Sequence, residues 1–269
     1  MQDESQNPAI AAEQQASAER RFFRALLSRA TPVTYFILIL NLFIFLLMAT
    51  AGNRDLLTNV VWGADQMTLI AFGAKLNVLI KSGEWFRFVT PIFIHIGLLH
   101  IASNSYALWM IGPLVERLYG SARFLMIYLL SGIAGVAGSY LWNELQNRPD
   151  VPSAGASGAI FGLFGLLAVF GFKYRNELPP NFRKAIGSSI VPVIMINLFI
   201  GFSVPFIDNA AHIGGLVAGG VLALVIPYLA PGSKRVSIFG LTVIALSIAL
   251  IAISFIRAFQ ESGNRYIYR

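Results

Sequence analysis

The sequence predicts an all-α protein, a polytopic bundle of seven transmembrane helices. Two observations predict this fold class. Of 269 residues, 56% are hydrophobic and only 12% are charged, whereas a soluble domain has about 25% charged residues. The chain also contains seven charge-free stretches, each long enough to cross a hydrocarbon core that needs about 20 helical residues. Backbone groups in lipid must be hydrogen-bonded internally, so these stretches are expected to be helices.

The predicted spans divide the chain into three parts. Residues 1–29 form a basic N-terminal segment, expected to be cytoplasmic and to be disordered over Met1–Ser17. Residues 30–256 form the membrane domain, and residues 257–269 form a short tail. The seven spans are Ala30–Asn53, Phe88–Val115, Phe124–Asn143, Val151–Phe172, Ala185–Ile207, Asn209–Ser233 and Val236–Ile256.

The connection between the first two spans is too long for a turn. It contains two apolar pieces, Leu56–Ala64 and Gln66–Ala74, which are too short to cross a membrane. We predict a structured loop at the interface. Trp85 and Arg87 fit an aromatic and basic interfacial anchor within it. Glu116, after the second span, is expected in a solvated turn.

Basic residues orient the bundle. With the N-terminus inside, 12 of the 20 Lys and Arg lie in inner segments, which fits the positive-inside rule. We predict an integral, multi-pass protein of a bacterial inner membrane with a cytoplasmic N-terminus. The positive charges lie between apolar runs and form no stripe with stacking aromatics, so no nucleic-acid partner is expected. The absence of cysteine excludes disulfides, thiolate zinc sites and cysteine nucleophiles.

Polar side chains inside the spans point to one site. Ionisable groups are costly in lipid and suggest function, and the three histidines of the chain, His95, His100 and His212, all fall in charge-free stretches. Asn104 shares a helical face with His100, and Ser157 lies a turn or two inside the fourth span. These residues lie near the outer starts of parallel helices, which predicts that they meet at one depth.

A serine beside an imidazole is the minimum for an activated hydroxyl nucleophile. His100 and Asn104 could supply oxyanion donors. No Asp or Glu lies inside a span, so a dyad is expected instead of a triad. Four glycines predict close packing of the helices that carry Ser157 and His212, namely Gly158, Gly162, Gly215 and Gly219.

Three separated strings resemble the signature of the rhomboid family of intramembrane serine proteases. They are His95-x4-His100-x3-Asn104, Gly155-Ala156-Ser157-Gly158, and Ala211-His212-Ile213-Gly214-Gly215 with Gly219. Trp85-Phe86-Arg87 is similar to a tryptophan and arginine pair of the family, with Phe86 inserted. The similarity covers about Ala30–Pro231 as a six-helix core, and the last span is an extra helix that some members carry.

The resemblance implies a site and a reaction. Ser157 would be the nucleophile and His212 the general base, with His100, Asn104 and the Ser157 backbone N–H as the oxyanion hole. His95 and Phe161 would line the cavity, Phe161 stacking on His212 where many members have tyrosine. Cleavage of peptide bonds in or near transmembrane segments is implied, with single-pass or other transmembrane proteins as substrates in the lipid bilayer, and with no metal or cofactor.

Two other functions fit parts of the sequence. A non-catalytic rhomboid-like protein could bind membrane clients, although such relatives usually lack the serine or the histidine. A proton-coupled transporter could use the histidines as a relay, but they cluster at one depth and no span carries an Asp or Glu. Labelling of Ser157 by a fluorophosphonate would separate the first alternative from the protease.

Overall fold

A computed structural model describes residues 8–204, 207–229 and 238–267. Within these residues the fold is all-α, which confirms the predicted class. An isolated β-bridge joins Lys75 to Ser153, and two 3-10 turns cover Trp85–Phe88 and Thr90–Phe93. The helices are α1 (Pro8–Leu27), α2 (Pro32–Ala51), α3 (Leu56–Trp62), α4 (Gln66–Ala71), α5 (Asn77–Lys81), α6 (Gly97–Tyr119), α7 (Ser121–Leu145), α8 (Ser157–Lys173), α9 (Pro180–Ser203), α10 (Asn209–Val225) and α11 (Ile238–Ile267).

The described helices include several that can cross a membrane. By length and apolar composition, α2, α7, α9 and residues Ile238–Gly263 of α11 are suited to this role. Helices α8 and α10 are apolar but have only 17 residues each. The 23 residues of α6 include several polar ones. The chain is therefore an integral membrane protein, while the count of seven spans stays a prediction.

Two helices begin later than the charge-free stretches that predicted them. Helix α6 begins at Gly97 instead of Phe88, because the preceding residues form the 3-10 turns. Helix α8 begins at Ser157 instead of Val151. Ser153 pairs its backbone with Lys75 in both directions, at 2.9 and 3.0 Å, and this extended pairing delays the helix. An uncharged stretch does not reveal whether its backbone bonds within a helix or to a distant segment, so hydropathy alone places these helix starts too early.

Helices α7, α8 and α10 form the centre of the bundle at backbone contact. A Cβ atom added at Gly215 would lie 1.9 Å from the carbonyl oxygen of Gly158, and one at Gly219 would lie 1.8 Å from that of Gly162. On α7, a Cβ at Gly135 would lie 2.8 Å from the carbonyl oxygen of Ala211. Residues without side chains therefore allow three helices to approach more closely than any larger residue permits.

Glu116 has a different environment from the expected solvated turn. Its side chain is 1% exposed. Its carboxylate accepts hydrogen bonds from the N–H groups of Val33 and Thr34 at 3.0 and 2.8 Å, from the Thr34 hydroxyl at 2.7 Å and from the Ser121 hydroxyl at 2.7 Å. Since the first N–H groups of a helix have no partner within it, Glu116 supplies the missing acceptor for α2.

Arg87 also differs from the exposed anchor that the sequence suggested. It is 1% exposed and donates hydrogen bonds to the carbonyl oxygens of Ile70 and Ala74, at 3.0 and 2.6 Å. Its guanidinium pairs with Glu84 at 2.8 Å. Arg87 thus ties α4 and the segment that follows it to the 3-10 turn at Trp85–Phe88, whereas Trp85 is 47% exposed.

The N-terminal segment is helical where disorder was expected. Helix α1 begins at Pro8, and residues 1–7 lie outside the described part of the chain. Ala, Gln and Glu in this segment favour helix. Phe22 and Phe23 pack on Phe182 of α9, with ring centroids 5.2 and 5.6 Å apart, and this tertiary contact supports the helix.

Candidate active site

Ser157 is the first residue of α8. The chain reaches it through Gly155, whose φ of +140° is open to glycine but strained for other residues. The Gly155 N–H donates to the carbonyl oxygen of Pro91 at 2.8 Å, and the Ile160 N–H donates to that of Ala156 at 3.0 Å. The serine is therefore held at a fixed turn into the helix, with its side chain partly exposed.

His100 faces the same turn from α6. Its Nδ1 accepts the N–H of Ile96 at 3.2 Å, which assigns the ring proton to Nε2. A Cβ added at Gly155 would lie 2.7 Å from His100 Nε2 and 3.7 Å from Ser157 Oγ. The histidine N–H and the serine hydroxyl therefore flank one small space, which a side chain at position 155 would fill.

Asn104 lies one turn further along α6 and is 6% exposed. Its amide donates to the carbonyl oxygen of His100 at 3.1 Å. An amide nitrogen carries two N–H donors, so this bond orients the side chain and leaves the second donor for another acceptor.

His212 is a buried residue of α10, 7% exposed. Its ring stacks on Phe161, with centroids 4.2 Å apart and planes 8° from parallel. Phe161 is 4% exposed and follows Ser157 by four residues, so it shares the helical face of the serine. The stacking brings the imidazole against the face of α8 that begins with the nucleophile candidate.

The backbones next to Ser157 and His212 are in contact. A Cβ at Gly158 would lie 3.3 Å from the carbonyl oxygen of Ala211, the residue before His212. Among the described residues, no hydrogen bond joins Ser157 to His212, and Nδ1 of His212 has no partner. Catalytic hydrogen bonds are often long without substrate and tighten in the complex.

His95 precedes α6 and lies behind His100. It is 1% exposed, and the two rings meet edge to face with centroids 5.3 Å apart. Neither ring nitrogen has a hydrogen-bond partner among the described residues. Its role as a cavity-lining residue stays a prediction, as does that of Phe161.

The region also holds polar residues that sequence reasoning passed over. Asp208 caps α10 by accepting the N–H of Ala211 at 3.0 Å, and Ser139 and Ser153 donate to its other oxygen. An Asp directly before an apolar helix is a recognisable cap signal. Asp208 lies between two charge-free stretches, so a search for ionisable groups inside the spans does not find it. No group of three or more metal-binding side chains occurs in the described ranges.

Comparison with known proteins identifies the family. The rhomboid domain matches residues 82–229. The chain is 31% identical over 204 residues to the rhomboid protease AarA of Providencia stuartii, an alignment that covers 70% of this chain and 72% of AarA. The chain belongs to the rhomboid family. This confirms the resemblance that the three sequence strings carried.

Other rhomboid relatives agree. The chain is 40% identical over 236 residues to the rhomboid protease GluP of Bacillus subtilis (strain 168), which covers 87% of this chain but 43% of GluP. It is 34% identical over 173 residues to RHOMBOID-like protein 5 of Arabidopsis thaliana, covering 62% of this chain and 52% of that protein. The chain thus spans about half the length of these two relatives. GluP and AarA are both named as rhomboid proteases.

Proposed function

We propose that this rhomboid is an intramembrane serine endopeptidase in which Ser157 is the nucleophile and His212 the general base. The observation that carries the proposal is the meeting of three elements at the start of α8. His100 Nε2 and Ser157 Oγ flank one space beside Gly155, and His212 stacks on the same face of α8.

The first half of the reaction forms an acyl-enzyme. The hydroxyl oxygen of Ser157 attacks the carbonyl carbon of the substrate peptide bond while His212 takes the hydroxyl proton. The resulting tetrahedral oxyanion accepts hydrogen bonds from the Ser157 backbone N–H, His100 Nε2–H and the Asn104 amide. The start of α8 adds the partial positive charge of a helix N-terminus. The oxyanion then collapses, the C–N bond breaks, and His212 returns the proton to the leaving amine.

The second half releases the acyl product. Water loses a proton to His212 and attacks the ester carbonyl, and the Ser157 oxygen leaves with that proton. The substrates are single-pass or other transmembrane proteins, which reach the site from the lipid bilayer. The expected arrangement places the N-terminus in the cytoplasm of a bacterial cell and the site near the outer face of its inner membrane.

The test compares wild type with Ser157→Ala and His212→Ala in reconstituted membranes that hold a single-pass substrate. A positioned base raises the rate about 10²–10⁴-fold, so both variants should lose nearly all cleavage. Asn104→Ala removes one oxyanion donor and should lower the cleavage rate by about 10²-fold. Fluorophosphonate labelling at Ser157 should depend on His212. Cleavage by Ser157→Ala at the wild-type rate would refute the proposal.

The second candidate is the alternative that the sequence leaves open, a client-binding rhomboid without catalysis. The same experiment separates the two candidates. A binder captures the transmembrane substrate in wild type and in Ser157→Ala alike, cuts it in neither, and leaves Ser157 unlabelled by the fluorophosphonate.

A further inference from the structure

A polar cluster lies where the two helices of the candidate site begin. Asp208 precedes His212 by four residues, and Ser153 precedes Ser157 by four. The Ser153 hydroxyl donates to Asp208 Oδ2 at 2.6 Å, and the hydroxyl of Ser139, from α7, donates to the same oxygen. One carboxylate therefore connects α7, the segment that leads into α8, and the start of α10.

Lys75 links this cluster to the loop between α4 and α5. Its side chain is fully buried, its Nζ donates to the carbonyl oxygen of Val151 at 3.3 Å, and its backbone pairs with Ser153. Burial lowers the pKa of the Lys75 ammonium to about 8, and the negative charges of Asp208 and Glu144 oppose that shift. Lys75 thus ties the loop after α4 to the segment that leads into α8, through its side chain at Val151 and its backbone at Ser153.

The glycine contacts between α8 and α10 do not by themselves fix how far one helix is shifted along the axis of the other. Faces without side chains let α8 and α10 approach, but small residues present few obstacles to sliding along the helix axes. Hydrogen bonds to a carboxylate are directional and strong. The cluster lies at the ends of both helices, where it can set their axial register, and a misplacement of about 1 Å at a catalytic site can cost about 10²-fold in rate.

We infer that Asp208, held by the hydroxyls of Ser139 and Ser153, is a positioning residue that fixes the register of α10 against α8 and so aligns His212 with Ser157. The catalytic consequence rests on the proposed protease function. The axial register of α10 against α8 does not depend on that function, and it can be measured without catalysis.

The first measurement is kinetic. Asp208→Ala removes the shared acceptor and is expected to lower kcat by about 30-fold to 100-fold, with KM within about twofold, because the substrate contacts remain. Asp208→Asn keeps an oxygen for the Ala211 N–H and serves if the alanine variant does not fold. The matched control is Ser254→Ala, a fully buried serine of α11 that donates only to the carbonyl oxygen of Leu250. Its kcat should stay at the wild-type value.

The second measurement reports the register directly. The chain has no cysteine, so an engineered pair of cysteines is the sole source of any disulfide within the chain. A Cβ at Gly220 of α10 would lie 3.4 Å from Cγ2 of Val169 on α8, so cysteines at these two positions would face each other close to the separation that a disulfide needs. Oxidation of Val169→Cys/Gly220→Cys should be rapid with Asp208 present and at least about threefold slower with Asp208→Ala or Asp208→Asn, because disulfide geometry is strict.

Each outcome has one meaning. A lower kcat together with slower cross-linking supports the inference. Unchanged cross-linking overturns it, whether or not kcat falls, because the register then does not depend on Asp208. Slower cross-linking in a protein whose wild type shows no Ser157-dependent cleavage refutes the proposed protease and leaves the positioning role supported.

Discussion

Gly219→Ala should separate the two helices that carry the candidate dyad. The added Cβ would lie 1.8 Å from the carbonyl oxygen of Gly162, against the 3.0 Å below which real Cβ atoms are essentially never found, a shortfall of 1.2 Å. Its neighbours are backbone atoms, which cannot rotate away. Helix α10 must therefore move by about 1 Å or more, and we expect the rate to fall by about 10²-fold, or about 3 kcal/mol in activation free energy.

The adjacent glycine provides the control. A Cβ at Gly220 would lie 3.4 Å from Val169 Cγ2, an ordinary contact, so Gly220→Ala should keep the wild-type rate and gain up to about 1 kcal/mol of helix propensity. The assay is single-pass substrate cleavage in proteoliposomes, with thermal unfolding of each variant. Wild-type activity in Gly219→Ala, or equal losses in the two variants, would refute the steric reasoning.

Three further predictions follow from other contacts. Because burial lowers the pKa of Lys75 to about 8, the unfolded chain binds more protons than the folded one between pH 8 and 10. The free energy of unfolding of wild type should rise by about 2 kcal/mol over that window relative to Lys75→Met, in melts at stepped pH. Glu116→Ala leaves buried donors unpaired and should cost about 3 kcal/mol of stability by thermal unfolding, with less loss in Glu116→Gln. Phe161→Leu removes the stack on His212 and should lower kcat by about twofold to tenfold, whereas Phe161→Tyr should not, as steady-state kinetics would show.

Much of the fold could be predicted because lipid leaves few options. Long charge-free stretches must be helices, and these stretches located α2 and the helices from α6 to α11, although α11 continues to Ile267 where the stretch ended at Ile256. The starts of α6 and α8 were misplaced. A 3-10 turn and an extended pairing such as that of Ser153 with Lys75 depend on partners far along the chain, which periodicity does not record.

The site could be predicted where polar residues occur within apolar stretches of the sequence. Histidines in apolar stretches and a serine at a helix start indicate chemistry, and they identified His100, Ser157 and His212. The same rule misjudged charged residues next to the spans. Glu116 and Arg87 look like solvent-facing groups in the sequence, yet both are buried because backbone groups of other helices supply their partners. The rule also does not identify Asp208, because this residue lies between two charge-free stretches.

The backbone contact between α8 and α10 also determines where the protein can diversify. Gly215 and Gly219 at that contact leave no room for an added atom, so random libraries that include these two positions will contain mostly inactive clones. Helix α9 offers the opposite situation, since Met195 and Phe199 are 63% and 73% exposed and face outward. Directed evolution toward new substrates should therefore randomise the outer row of α9 and leave Gly215 and Gly219 unchanged.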